Sequence, residues 1–205
     1  MYNNSRAVIL AAGRSTRFTD GNKLTIKFDD ETLVRRTVSA WTQIVGTVDV
    51  LVPRDDAEVT AAIDNLPVNI IPVDYNAQRP DSSLKQYFEQ QLLSDGSGLF
   101  ISLADLFLLD AKELKYLIEA YSWRPETMGV VPKYQGERGH PIWLPQNVLG
   151  DFLDSGMLLH DWLEAYPLRV SWLPVDNRSV IADIDTREDL DAIVQSPIED
   201  ELDPA

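Results

Sequence analysis

Short β-branched apolar runs alternate along the chain with stretches whose apolar positions recur every three to four residues. Ala7, Val8, Ile9, Leu10 and Ala11 form an unbroken apolar run, the pattern of a strand buried on both faces. Further strands are predicted at 48–52, 68–73, 99–103 and 128–132. Helices are predicted at 31–44, where Leu33, Val34, Val38, Trp41 and Ile44 share a stripe, at 55–65, at 82–93 with Ser82 as N-cap, and at 111–121. This rhythm predicts an α/β fold, a single-domain Rossmann-like, mostly parallel sheet with helices on both faces. After Pro132 the pieces shorten: a segment at 141–144, helices at 146–153 and around 158–166, and strands at 169–174 and 179–184. A last helix at 186–194 opens at Asp185-Thr186, with Glu188 and Asp189 in its first turn. No repeat or linker divides the chain. Residues 1–195 are read as one domain and 196–205, with two prolines and four acids, as an acidic disordered tail.

Charge narrows the partners. Eighteen basic against 33 acidic residues in a chain of 205 give a formal net charge of −15. Phosphate backbones and anionic lipid repel such a chain, so neither nucleic acid nor a membrane surface is expected as a partner. Cysteine is absent, which excludes disulfides, thiolate nucleophiles and iron–sulfur clusters, and two histidines cannot build a histidine-rich metal site. No apolar run approaches the roughly 18 residues of a membrane span. The first strand-like segment begins by Arg6, ahead of which no secretory leader fits, so the expected setting is the cytoplasm.

Against that acidity, the stretch after the first strand is basic. Ala11, Ala12 and Gly13 are small enough for a ligand to approach the backbone, whose amides can face a base, ribose or phosphate. Arg14, Arg17 and Lys23 then place three cations in ten residues, which suggests a polyphosphate ligand. The loop has neither the Gly-Lys-Ser/Thr of a P-loop nor a Gly-x-Gly-x-x-Gly fingerprint. Asp105 lies just past the predicted strand 99–103, at the carboxyl edge where α/β ligand sites form. Asp183 and Asp185 share one face of a strand end if the period there is two. Aspartates from distant strand ends suit magnesium, which takes one or two carboxylates and completes its shell with water and phosphate oxygens.

Leu10-Ala11-Ala12-Gly13-x-Ser15-x-Arg17 followed by Gly21 and Lys23 resembles the signature of sugar-nucleotide-type nucleotidyltransferases. More narrowly, it resembles the MobA-like branch, which includes molybdenum cofactor cytidylyltransferase and guanylyltransferase. The resemblance touches most of residues 6–194. It implies a nucleotide-diphospho-sugar transferase type of fold, a Mg2+-binding Asp105, and Asp185 as second metal ligand with Asp183 close behind. Asn76 with Ser82 and Ser83 resembles the family's nucleotide-facing helix start. Tyr134-x-Gly136-x-x-Gly139-His140-Pro141 resembles its Tyr-x-Gly-x-x-Gly-His-Pro segment, with His140 expected to bond a phosphate or orient an acceptor; His160 reads as a partly buried helix residue. The sequence departs from the family at Ala104, Phe107, Leu158 and Arg187.

The implied reaction is transfer of a nucleotidyl group, CMP from CTP foremost, to a phosphorylated acceptor such as molybdopterin, with release of pyrophosphate. Arg17 and Lys23 would hold the β- and γ-phosphates, assisted by Arg14, and the backbone of Leu10 to Gly13 would read the base. Two other readings stand beside it. One is a non-catalytic nucleotide- or cofactor-binding protein docking on a molybdoenzyme. The other is a nucleotidyltransferase for a different small phosphate acceptor.

Overall fold

The computed structural model describes residues 5–13, 21–28, 30–74, 82–90 and 98–184. Among these residues ten strands run in chain order: β1 (Arg6–Leu10), β2 (Lys27–Phe28), β3 (Glu31–Thr32), β4 (Thr47–Pro53), β5 (Asn69–Val73), β6 (Gly98–Leu103), β7 (Gly129–Tyr134), β8 (Glu137–Arg138), β9 (Ile142–Pro145) and β10 (Val170–Pro174). Six α-helices lie among them: α1 (Leu33–Thr42), α2 (Ala57–Ile63), α3 (Ser82–Gln90), α4 (Ala111–Ser122), α5 (Gln146–Ser155) and α6 (Leu159–Ala165).

The main sheet has the order β10-β7-β9-β6-β1-β4-β5, with β8 paired to β7. β1 lies parallel between β4 and β6, β5 extends β4, and β10 runs parallel to β7. Two strands run against this direction: β9, antiparallel to both of its neighbours, and the short β8, antiparallel to β7. Side chains alternate across the pleat, so the two faces hold separate cores. Ala7, Ile9, Val48, Val50, Val52 and Phe100 meet Val34, Trp41, Ile63 and Leu117 from α1, α2 and α4. Val8, Leu51, Leu99 and Ile101 meet Tyr87, Phe152 and Trp162 from α3, α5 and α6. The expected mostly parallel sheet with helices on both faces is therefore present.

Three local expectations change. Glu31 and Thr32 pair with Lys27 and Phe28 as a two-stranded ribbon, so the first helix begins at Leu33. Ser82 is the first residue of α3 rather than the cap before it. Residues 179–184 do not form a strand: Arg178–Val180 is a 3-10 turn capped by Asn177, and one antiparallel bridge joins Asp183 to Leu106. This segment packs across the β7–β8 hairpin, where the Val180 carbonyl accepts from the His140 amide at 2.8 Å. The alternation that put Asp183 and Asp185 on one face thus has no strand beneath it. The final helix at 186–194 and the acidic stretch 196–205 lie outside the described residues. No described helix is long and apolar enough to cross a membrane.

Candidate active site

The site lies at the carboxyl edge of β1 and β6, whose last residues, Leu10 and Leu103, are partners in the ladder. Beyond them the Ala104 amide donates to the Leu10 carbonyl at 3.2 Å and the Ala11 amide to the Leu51 carbonyl at 3.0 Å. Leu10 and Ala11 therefore spend this part of their backbone on the sheet. The chain leaves it only at Ala12 and Gly13. A Cβ on Gly13 would meet nothing within 4 Å among the described residues, so none of them demands glycine there.

Lys23 begins a 3-10 turn (Lys23–Thr25). Asn22 caps that turn by accepting from the Leu24 amide at 3.1 Å, and its side-chain amide donates to Asp56 Oδ2 at 2.7 Å. Asp56 in turn caps α2 through the Val59 amide at 3.0 Å. Leu24 is buried in the core. The Lys23 backbone is thus tied to α2 and pinned by its apolar neighbour. Neither Asn22 nor Asp56 stands out as functional in the sequence, although both sit at positions where N-cap chemistry is legible.

The Lys23 ammonium reaches Asp105 Oδ2 at 2.7 Å, with side-chain exposures of 12% and 15%. Asp105 Oδ1 is buried with no hydrogen-bond partner among the described residues. The turn after Asp105 is held by Phe107, whose ring lies 4.3 Å from that of Phe28, while the Arg36 guanidinium sits 4.8 Å above it. Arg36 Nε also donates to the Phe107 carbonyl at 3.2 Å. Phe107, a departure from the family pattern, thus supplies an aromatic anchor of its own. Asp183 is exposed and lies beside this turn through its bridge to Leu106.

His140 enters the same edge because β9 runs against β6. Ile101 is opposite Ile142, so the residues ahead of β9 lie near the end of β6. The ring Nδ1 is 3.1 Å from the Ile101 carbonyl, an acceptor, which assigns the hydrogen to Nδ1 and leaves Nε2 as an acceptor in the neutral ring. Burial lowers the His140 pKa, partly opposed by the Ile101 carbonyl and the Asp105 charge. A neutral ring of this tautomer has no hydrogen to donate from Nε2 to a phosphate. The buried Tyr121 of α4 donates its hydroxyl hydrogen to the following Pro141 carbonyl at 2.7 Å.

The other expected residues are less concentrated. Ser82 Oγ is buried without a partner among the described residues, and Ser83 is buried behind it. Arg14, Arg17, Asn76 and Asp185 lie outside the described residues. Gly156 is the left-handed C-cap of α5, at φ 63°, which explains this glycine without a ligand. Leu158 lines an apolar groove of about 340 Å³ with Leu84, Phe88, Phe152 and Met157, on the face opposite α1, α2 and α4. His160 is exposed rather than partly buried, with Nδ1 2.8 Å from Arg138. Sequence reasoning also passed over Asp49. This buried carboxylate accepts from Arg6 at 2.8 Å, Asn69 at 2.8 Å and Tyr87 at 2.6 Å, and so ties α3 to three strands.

Residues 7–162 of this chain, more than half its length, match the family described as the MobA-like NTP transferase domain. The chain belongs to that family. This MobA-like protein is by membership a nucleotidyltransferase, and its fold is shared by solved structures. Rv0371c from Mycobacterium tuberculosis H37Rv superposes with a TM-score of 0.75 at 23% identity, covering 96% of this chain and 100% of that one. A manganese complex of Rv0371c matches with a TM-score of 0.71, at 23% identity and 94% and 98% coverage. A nucleotidyl transferase from Methanothermobacter thermautotroptrophicus, Mth528, gives 0.72 at 18% identity, covering 92% and 95%. The 4-diphosphocytidyl-2C-methyl-D-erythritol synthase of Anaerococcus prevotii DSM 20548 gives 0.70 at 14% identity, covering 94% and 96%. At these identities the likeness is one of fold. No curated protein matches the MobA-like chain significantly.

Proposed function

We propose that this MobA-like protein transfers a nucleotidyl group, by preference CMP from CTP, to a small phosphorylated acceptor with release of pyrophosphate. Molybdopterin is the acceptor that the family resemblance favours. The observation that carries the reading is the meeting of Lys23 and Asp105 at one sheet edge, from segments far apart in sequence. A cation for phosphates and a hard-oxygen ligand for a metal stand together where an α/β sheet binds its ligands.

In this reaction an acceptor phosphate oxygen attacks the α-phosphorus, and the bond to the bridging oxygen of the departing pyrophosphate breaks. The acceptor is already ionised, so no general base is required. The protein's work is positioning and charge neutralisation. Lys23, with Arg14 and Arg17, would hold the β- and γ-phosphates. Ala12 and Gly13, with Asn76, Ser82 and Ser83, would shape the nucleotide subsite, where the Ser82 hydroxyl, without a partner among the described residues, would supply a donor. His140 Nε2 would accept from an acceptor hydroxyl.

Asp105 fits a divalent cation: one oxygen has no hydrogen-bond partner among the described residues, and the ligand is hard. No cluster of three or more metal-binding side chains occurs among the described residues, so water and substrate phosphates would complete the shell. Asp105, with Asp183 and Asp185, would hold magnesium, which when bound supplies neutralisation of charge on the reacting phosphates.

The test is a thermal-shift panel of CTP, GTP, ATP and UTP, each with and without magnesium, followed by a pyrophosphate-release assay on the best binder. A magnesium-dependent stabilisation strongest with CTP is expected. A flat panel with no pyrophosphate release from any triphosphate overturns the reading.

A further inference from the structure

The two charges that define the site neutralise each other. The Lys23 ammonium is 2.7 Å from Asp105 Oδ2, and each side chain is largely withdrawn from water. A carboxylate in that condition is not an open cation site. A divalent ion on either oxygen would lie beside a fixed positive charge, in surroundings that screen poorly. The lysine backbone cannot retreat, because Asn22, Asp56 and the buried Leu24 tie it down. Only the flexible four-carbon stem can carry the ammonium elsewhere, and it will do so when another anion offers itself.

We propose that Lys23 is a built-in competitor for the divalent cation at Asp105, so that the free chain takes up metal weakly until a polyphosphate draws the ammonium from the carboxylate. This rests on the reading of Asp105 as a metal ligand. A polyphosphate is the anion that the site is built to receive, and linkage then requires metal and triphosphate to strengthen each other's binding. The pairing guards the carboxylate against loading by metal alone.

The experiment titrates Mn2+ into the full-length chain without nucleotide and follows free Mn2+ by electron paramagnetic resonance. The variants are wild type, Lys23→Met, Lys23→Arg, and the wild type and Lys23→Met each combined with Asp105→Asn; circular dichroism verifies folding. A chain of net charge −15 binds Mn2+ diffusely, so the informative quantity is the part lost with Asp105→Asn. Lys23→Met is expected to tighten this Asp105-dependent binding at least about tenfold by removing the resident charge, while Lys23→Arg, which keeps the charge, stays near wild type. If Asp105→Asn weakens binding in the wild type but Lys23→Met binds Mn2+ no tighter, the competition is refuted and Asp105 remains a metal ligand. If Asp105→Asn changes Mn2+ binding in neither background, the competition and the metal role of Asp105 fall together.

Discussion

Asp105 and His140 reach the same edge with opposite electrostatic needs. The aspartate stands beside an ammonium, whereas burial disfavours the charged form of the histidine. Asp105→Asn preserves shape and removes the anion. We expect turnover to fall on the order of 100-fold or more while the melting temperature moves by less than about 5 °C, read by pyrophosphate release and calorimetry. Collapse of the fold would instead mark Asp105 as structural. For His140 the sign follows from linkage. Its folded pKa lies below the ordinary 6.5, so the unfolded chain binds the proton first on acidification. Its contribution to stability is whole above about pH 6.5 and is lost as pH falls toward the lowered value. His140→Gln should flatten the melting-temperature profile below about pH 6.5 relative to wild type. An unchanged profile would show that this ring does not resist protonation.

Elements differed in how well the sequence announced them. The strand β1 was legible because burial on both faces leaves a continuous apolar run, β4 and β6 because single polar positions, Asp49 and Ser102, interrupt otherwise apolar stretches, and Asp105 was legible as the acid just past one of them. The four apolar residues of β9 carry no mark of direction, so its reversal was not readable. The apolar stretch at 179–184 has strand composition, but its carbonyl partner is the His140 amide, a choice made by tertiary packing. Lys23 was visible as a cation in a glycine-bearing loop, whereas its tether through Asn22 to Asp56 joins two caps that look merely local in sequence. Gly139 shows what such packing requires. A Cβ there would lie 2.5 Å from the Val180 carbonyl oxygen, so Gly139→Ala must push the turn away from the hairpin. The expected cost is about 1–3 kcal/mol, with weaker acceptor use because His140 is the next residue; melting temperature and the acceptor KM check this. An alanine variant with wild-type values of both would mean that the turn yields freely.

At the scale of the whole molecule, one sheet serves both cores, and each central strand sends alternate side chains to each. Neither face can lose its packing while the other keeps its strands in register. Urea unfolding should therefore be a single transition, coincident by far-ultraviolet circular dichroism and by tryptophan fluorescence, with Trp41 reporting one face and Trp162 the other. Separated midpoints would show that the faces melt independently. The reversed strand β9 adds a consequence for how such a chain can vary. Between Asp105 and His140 the polypeptide makes a full excursion through α4, β7 and β8, yet departs from and returns to the same rim. Residues 123–128, at the far turn of that excursion, can be lengthened or rebuilt while both ends of the journey stay where they are. Evolution can thus remodel the underside of this protein without renegotiating its chemistry.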